Sequence, residues 1–501
     1  MTTSRAGAAG GSGRSAELFF IHGSAAEMLS ERAMNSLFAR VVRLLMLALI
    51  VATTAVQPAI AQQQQDSGPS VLRDTETELL FKEMSLPLVR AAHLDPNSVN
   101  VVLLNDPEIN AFVATGQTVY VQSGLLEATD NVNQLQGVVA HELGHVIAGD
   151  SIRSGQGAKQ ATGISILSLV LAAAAMAAGA GDVGEGILMA GQQAAEGSFM
   201  AFTRSQEATA DATGSRLLSD SGISGKGMLD FFKKLQNQEY RLAIYSKDSF
   251  GRDHPINQER IQALELKFHN DPAWGKATDP ALEARFQRVK AKLMGYIDPK
   301  LAVIKYPERD QSVPAHLARA YAYHLGGYPD KANAEADALL AKDPHDPFFL
   351  EMKGQILLEG GKPRDAIPIL REATRRSNEA PLIAAMLGHA LVATEDTKNF
   401  TEAKQILKVA VNRDNQDPFA WYQLGIIYEA EGDTPRAALA TAERSNLEGN
   451  PKMALSSAQL ALKGIPAGTP DYLRAQDIAM VSRAELAKKD KKYRDQKDLN
   501  Q

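Results

Sequence analysis

Cysteine is absent from this chain of 501 residues. The absence excludes disulfide bonds and every thiolate metal site, so any bound zinc must be held by histidine and carboxylate ligands. The chain also lacks long blocks of lysine and arginine, and its formal net charge is −6. These two features give no sign of nucleic-acid binding. With 45% hydrophobic and 22% charged residues, the composition is that of a water-soluble protein with an ample core.

The N-terminal region has the pattern of a secretory signal peptide. Arg40 and Arg43 precede an apolar run at 44–51, and a small-residue cleavage site ends at Ala61. A basic segment, an apolar segment and an A-x-A site in this order are typical of export. We therefore predict a signal peptide over 34–61 with cleavage after Ala61.

The predicted destination is a bacterial periplasm, where the lack of cysteine avoids oxidative pairing. Residues 1–33 would be unusual in front of a working signal, so we interpret them as a mis-assigned N-terminal extension. An uncleaved membrane anchor is the alternative, but the apolar run is short for a membrane span.

The segment before residue 130 alternates between helical and strand patterns. Residues 74–92 have helical periodicity, 99–104 read as a strand, and 111–114 with 118–121 read as a hairpin. These patterns predict a three-stranded sheet. If the last strand is an edge, it can pair with an extended substrate backbone. The predicted substrate-binding residues of this strand are Val119, Tyr120 and Val121.

An H-E-x-x-H motif lies inside an apolar run, 138–147, that reads as a buried helix. His141 and His145 are four residues apart and share one helix face, so both can aim a ring nitrogen at one metal ion. Glu142 lies one step round the helix, where its carboxylate can act as general base on a water at the metal. This is the chemistry of a zinc hydrolase, although the bare motif also arises by chance.

A third ligand is available downstream, where Glu207 and Asp211 are also four residues apart. Glu207 can bind the metal while Asp211 hydrogen-bonds a ligand histidine. Two histidines, one glutamate and water would form an open catalytic site with one Zn²⁺ per chain. Alternatively, both carboxylates are solvated helix charges.

Residues 164–180 are almost wholly apolar and rich in alanine. A helix or loop packed over the active site is the favoured interpretation. A membrane span is the alternative, but the segment is short for one.

Beyond about Pro307 the chain becomes repetitive. Ala320, Gly354 and Gly388 follow one another at 34-residue intervals. This period resembles the tetratricopeptide repeat, in which small residues allow two helices to approach closely. Asp346 and Pro347 suit the start of a unit, and residues 394–397 look like an insertion between two helices. We predict about four units, with a generic helical bundle as the alternative.

Three motifs together resemble the zincin family that includes the CAAX prenyl endopeptidases. H-E-x-x-H followed by E-x-x-A-D is the first, and the strand from Asn110 to Phe112 is similar to the one before the family's metal helix. His254-Pro255 with Arg260-Ile261 is similar to the family's H-P-x-x-x-x-R-I signature. The signal peptide and repeats are similar to its soluble periplasmic branch, and the resemblance covers most of residues 70–490.

The resemblance implies an α+β zincin-type metalloprotease domain followed by an all-α tetratricopeptide-repeat solenoid. The predicted boundaries are 62–305 and 306–490, with a charged tail at 491–501. The implied zinc ligands are His141, His145 and Glu207, with Glu142 as base.

In the periplasmic branch, a histidine at the H-P position can displace water from the fourth zinc position. His254 is therefore a candidate switch and catalytic-site residue, and an ordinary loop histidine is the alternative. Arg260 would fix the loop of His254 or bind substrate.

The expected function is that of a periplasmic zinc endopeptidase in outer-membrane protein quality control. Its expected clients are unfolded or misassembled outer-membrane proteins, and its expected partner is the outer-membrane barrel assembly machinery, bound through the helical repeats. A chaperone or assembly adaptor with latent peptidase activity is the first alternative. An integral membrane protease is the second.

Overall fold

The computed structural model describes residues 70–114, 116–177, 181–241 and 253–499. The predicted signal peptide and the residues before it lie outside this part of the chain. All of the described residues belong to one compact unit.

The N-terminal part combines a small sheet with helices. Its elements are β1 (Ser70–Leu72), α1 (Thr75–Ala91), β2 (Asn100–Asn105), β3 (Ala111–Val113), β4 (Thr118–Gln122), α2 (Ser123–Ala128), α3 (Val132–Ala148), α4 (Asp150–Ala177), α5 (Gly181–Asp220), α6 (Lys226–Arg241), α7 (Gln258–His269), α8 (Pro280–Ile297) and α9 (Pro299–Lys305). The predicted helix, strand and hairpin before residue 130 are confirmed, with ends that differ by one or two residues.

The sheet has four strands rather than the predicted three, in the order β1-β2-β4-β3, because the short strand β1 pairs with β2. β2 and β4 are parallel, whereas β1 and β3 pair antiparallel with β2 and β4. β4 is therefore an interior strand, and the prediction that Val119, Tyr120 and Val121 form a sheet edge is wrong. The sequence pattern predicted only the pairing of β4 with β3. In the structure β4 also pairs with β2, which is more distant in sequence, so neither side of β4 is free. β3 is the outer strand.

The core lies between the sheet, α1 and α3. It contains Leu80 and Met84 of α1, Val119 of β4 and Val138 of α3, each at most 1% exposed. Asn131 caps the start of α3 by accepting a hydrogen bond from the Gln134 amide. This packing fixes the metal-motif helix against the sheet.

α4 and α5 form an antiparallel hairpin. The apolar segment at 164–180 is helical up to residue 177, but it does not pack over the active site as predicted. Its contacts are with α5, and Leu167 and Val170 are each 59% exposed. Within the described residues, no helix is both long and apolar enough to cross a membrane.

Helix pairs make up the C-terminal part. They are α10 (Val313–Leu325), α11 (Pro329–Lys342), α12 (Pro347–Glu359), α13 (Pro363–Arg376), α14 (Pro381–Val392), α15 (Phe400–Arg413), α16 (Pro418–Ala430), α17 (Thr434–Leu447), α18 (Pro451–Gly464) and α19 (Pro470–Leu499). The described residues thus hold five pairs rather than about four. A Cβ on Gly354 would lie 2.4 Å from Leu370, which confirms a close approach of the two helices. The predicted insertion lies in the longest of the turns within pairs, between α14 and α15.

The repeats fold back onto the N-terminal part. Arg288 of α8 forms an ion pair of 2.7 Å with Asp346, the N-cap of α12. Arg73, next to β1, lies 2.6 Å from Asp414 after α15. A groove of about 860 Å³ separates the sheet from the repeat loops beside the contact of Arg73 with Asp414. The two parts are joined by these charged contacts and by apolar packing of α8 on α10, where Met294 is buried against Ala318 and Ala322.

Candidate metal centre

Four buried side chains converge on one point between α3, α5 and the segment before α7. They are His141, His145, Glu207 and His254, and one ligand atom from each lies within 4.8 Å of the others. His141 Nε2 lies 3.2 Å from His145 Nε2 and 3.3 Å from His254 Nδ1. Glu207 oxygens lie 3.2 Å from His254 Nδ1, 3.4 Å from His141 Nε2 and 3.5 Å from His145 Nε2.

These spacings suit a four-coordinate metal ion. Ligands at about 2.0–2.1 Å from a tetrahedral zinc ion are separated by roughly 3.3 Å. The five distances above all lie close to that edge length. A metal ion would also satisfy facing imidazole nitrogens that carry no proton, because two acceptors do not bind each other. The donor set therefore fits a metal site.

Close packing of α3 on α5 brings the two motifs together. A Cβ on Gly144 would lie 2.6 Å from the Ala210 carbonyl oxygen, and one on Gly214 would lie 2.8 Å from the Ala140 carbonyl oxygen. Glycine at both crossings lets the helices touch along their backbones. Glu207 thereby faces His141 across the crossing.

Asp211 lies behind His141, as the helical spacing predicts. Its Oδ1 is 3.0 Å from His141 Nδ1, the nitrogen that faces away from the cluster. Burial opposes a charged imidazole, but the carboxylates of Asp211 and Glu207 outweigh it and raise the pKa of His141 to about 9. Despite burial, hydrogen bonds from His141 and His254 hold the pKa of Glu207 far below its usual range. Glu207 is therefore ionised, which is the form in which a carboxylate can bind a metal ion.

Arg260 is buried beside Asp211, and two of its guanidinium nitrogens donate hydrogen bonds to the Asp211 carboxylate, at 2.6 and 2.9 Å. Its Nη1 donates to the carbonyls of His254 and Pro255. The guanidinium contacts thus hold the loop of His254, the first of its two predicted roles. A role in binding substrate remains a prediction.

His254 uses both ring nitrogens. Nδ1 faces the cluster, while Nε2 lies 3.3 Å from the Ala111 carbonyl oxygen of β3. Because Gln122 N donates to Asn110 O, the alternation of an antiparallel pair turns the Ala111 carbonyl away from β4. His254 therefore contacts the outer side of β3. Asn110 also binds Asp253 at 2.8 Å.

Glu142 is fully buried beside the cluster. Its Oε1 lies 3.6 Å from His254 Nε2, and neither carboxylate oxygen has a hydrogen-bond partner among the described residues. A buried carboxylate without hydrogen-bond partners is costly, so its placement here fits a group that acts on a bound molecule. Phe232 packs edge-on against His141, with the ring centroids 5.6 Å apart.

Asp150 was missed by the sequence reasoning. Its Oδ2 lies 2.8 Å from His145 Nδ1, and Gln206 Nε2 donates to its Oδ1 at 2.9 Å. The only signal in the sequence for this contact is that Asp150 is acidic and follows His145 by five positions. Residues five apart do not lie on the same face of a helix, so the spacing did not predict the contact. Gly149, with φ of +68°, ends α3 and turns the chain back so that Asp150 reaches the ring.

The fold and site define a metallopeptidase domain joined to helical repeats. Residues 74–267 match peptidase family M48, and residues 357–424 match the tetratricopeptide repeat. The chain is therefore similar to peptidase family M48 over its N-terminal domain, which contains a small sheet, and to tetratricopeptide repeats in its helical C-terminal region. This confirms the predicted resemblance and fold class.

Among individual proteins, the chain is similar to the beta-barrel assembly-enhancing protease. It is 24% identical to that of Yersinia pestis over 431 residues, which cover 82% of this chain and 84% of the relative. It is also 24% identical to that of Escherichia coli K12 over 428 residues, with the same shares. Metalloprotease LoiP of Escherichia coli K12 is 27% identical over 217 residues, 42% of this chain and 79% of that protein.

Proposed function

We propose that this protein is a periplasmic zinc endopeptidase in outer-membrane protein quality control. The observation that carries the proposal is the buried set His141, His145 and Glu207, with Glu142 beside it. Names of relatives that span both parts of the chain support the same role. The clients would be unfolded or misassembled outer-membrane proteins, and the repeats would capture them or bind the barrel assembly machinery.

Zinc is the ion that the donor set favours, because two or three imidazoles with one carboxylate suit it and thiolates are absent. When bound, zinc would polarise the scissile carbonyl and acidify water. Glu142 would take the proton of the attacking water and pass it to the leaving amine. Asp211 and Asp150 would hold the rings of His141 and His145 in orientation.

Substrate would enter along β3 rather than β4. β3 is the outer strand, and the Ala111 carbonyl points to its open side. An extended peptide can add to such an edge by backbone hydrogen bonds. His254 Nε2 contacts that same carbonyl while Nδ1 faces the metal cluster. His254 would therefore restrain the enzyme twice, at the fourth ligand position and at the substrate edge.

The same contact supports the second candidate function. A protein whose site is held shut by His254 would act mainly as a chaperone or assembly adaptor, with latent peptidase activity. The five described helix pairs would then provide the working surface.

Cleavage of an unfolded model protein separates the two functions. We compare the parent chain, purified as residues 62–501, with His254→Ala, and use Glu142→Gln as the blank. Activity that rises in His254→Ala and is absent in Glu142→Gln supports a self-restrained peptidase. The peptidase proposal fails if metal is bound but neither the parent nor His254→Ala shows cleavage that a chelator abolishes. The adaptor role would then replace it.

A further inference from the structure

The hairpin of α4 and the first part of α5, residues 150–206, is termed the arm. Its base touches the metal centre, because Asp150 and Gln206 bind each other beside His145. α4 alone is about 40 Å long at 1.5 Å per residue. Of its described residues, none belongs to the main hydrophobic core. The arm is therefore a long extension attached directly to the site.

Small residues make the contact inside the arm. A Cβ on Gly157 would lie 2.4 Å from the Phe202 ring, and one on Gly191 would lie 1.8 Å from Ser168 Oγ. Large apolar side chains point outward instead: Ile166, Leu167, Leu169, Val170 and Leu171 are 50–59% exposed. Helices in water usually have the opposite arrangement. Small residues at the contact and large ones outside are typical of helices packed in lipid.

The outward residues surround α4 rather than forming a stripe. At about 100° per residue, the five positions from Ile166 to Leu171 cover more than half of the helix circumference. A partner helix or groove would require only a narrower apolar face. An apolar medium that contacts every open side fits this distribution better. The occupant that matches is the acyl region of a lipid bilayer.

The hydroxyl groups of α4 agree with a lipid environment. Thr162, Ser165 and Ser168 each donate to the carbonyl four residues earlier, at 2.7, 3.1 and 2.7 Å. Bonds of this kind satisfy a polar side chain within its own helix, so it does not depend on water.

Charge on the arm is distributed as at a membrane surface. Among the described side chains of α4 from residue 156 onward, Lys159 is the one charged group. α5 carries exposed polar residues along one side, with the exposed Met189 and Met200 among them: Asp182, Glu185, Gln192, Gln193 and Glu196. One apolar helix beside one with a polar face is the pattern of an interfacial element. With no basic cluster in these described side chains, attraction to anionic lipid contributes little.

We propose that the arm lies in the surface of a lipid bilayer, with α4 facing the acyl chains and the polar side of α5 facing water. Asp150 and Gln206 lie at the base of the arm, next to His145, so binding of the arm to a bilayer places the metal centre beside the membrane. The enzyme would then meet its clients at a lipid surface. The proposal does not depend on the identity of those clients.

The lack of cysteine permits a local test in the full chain. Leu169→Cys, labelled with an environment-sensitive nitrobenzoxadiazole dye, reports on the arm, and Ile304→Cys in α9 is a control at a residue that is 74% exposed. We expect phosphatidylcholine vesicles to increase emission several-fold and shift it to shorter wavelength at Leu169→Cys. Ile304→Cys should not respond. The response should be the same with added phosphatidylglycerol and at high salt.

A second variant, made in the labelled Leu169→Cys chain, tests the same contact with the same dye. Leu167→Gln/Val170→Gln/Leu171→Gln changes exposed side chains, so metal content should stay at the parent level while the dye response of Leu169→Cys on vesicles falls roughly tenfold or more. An unchanged response in this variant, or no response in the parent, would overturn the proposal. A dye response that needs no lipid and grows with protein concentration would also overturn it, since the arm would then bind a second copy of the chain.

Discussion

Asp150 and His145 form a direct contact: the Asp150 carboxylate oxygen lies 2.8 Å from His145 Nδ1, while His145 Nε2 points into the metal cluster. A carboxylate at this position orients the ring and increases its basicity as a ligand. His141 has the same support from Asp211 at 3.0 Å. Each histidine of the H-E-x-x-H motif therefore has its own acidic partner, one from each end of the α4–α5 hairpin.

Removing the Asp150 carboxylate should weaken metal binding. We expect Asp150→Ala to raise the dissociation constant for zinc by about 10–100-fold, the usual effect of losing an outer partner of a ligand histidine. Competition with a zinc-binding dye measures the constant. Asp182→Ala, an exposed acidic position in α5, is the control and should bind zinc like the parent. Equal affinities in both variants would show that Asp150 does not support the ligand.

Gly144→Ala should disturb the crossing of α3 and α5. The added methyl group would meet the Ala210 carbonyl at 2.6 Å, so α5 must move and carry Glu207 with it. We expect a loss of about 1–3 kcal/mol in the free energy of unfolding and weaker zinc binding. Urea denaturation and metal titration measure the two effects.

Gly163→Ala is the matched control for that substitution. Gly163 is helical, and nothing lies within 4 Å of a Cβ there. Alanine is the better helix former by up to about 1 kcal/mol, so this variant should be neutral or slightly stabilised. If both glycine variants lost stability equally, steric conflict at the crossing would not be the cause.

Glu351 should make stability depend on pH. It is buried between the repeats and α8, and burial raises its pKa to about 8 from an ordinary value of 4.5. The folded chain thus holds the proton more tightly than the unfolded chain does. Its contribution to stability is full below the unfolded value and is lost as pH rises through the folded value.

Glu351→Gln should remove this part of the pH dependence. Glutamine stays neutral, so the variant should be more stable than the parent above about pH 8, by on the order of 1–3 kcal/mol. Denaturation at about pH 5 and about pH 8.5 measures the difference. Glu429→Gln, at an exposed position of α16, should follow the parent. A parallel pH profile for the parent and Glu351→Gln would contradict the prediction.

Metal removal should lower thermal stability. Four buried ligands converge within 4.8 Å, and metal that binds only the folded chain stabilises it. We expect a chelator to lower Tm in the parent and in Glu142→Gln, because Glu142 is not one of the four side chains that could hold the metal. His145→Ala should show a much smaller shift. A chelator effect that vanished in Glu142→Gln would place Glu142 among the ligands.

Local spacing was sufficient to predict most of the site. His141, His145, Glu207 and Asp211 lie on two helices, and residues four apart share a face wherever the helix is placed. The 34-residue period likewise predicted the helix pairs, because each pair repeats the same short-range contacts. His254 was predicted by family resemblance, and the structure places it at the cluster.

Contacts between distant segments could not be predicted in this way. β4 was expected at the edge, but its parallel pairing with β2 places it inside the sheet. The segment at 164–180 was expected over the site, but its described part, up to residue 177, packs along α5. In both cases the local pattern correctly predicts the strand or helix, but it does not determine which other strand or helix packs against it.

The sequence by itself determined which residues are candidates for the chemistry, because helical periodicity and the absence of cysteine limit the possible metal ligands. Only the tertiary structure decided how those residues meet. Backbone contact at Gly144 and Gly214 sets the distance between the two metal motifs. The turn at Gly149 brings Asp150 to His145, and β3 rather than β4 receives His254. These relationships depend on packing between segments far apart in the chain, which no local pattern encodes.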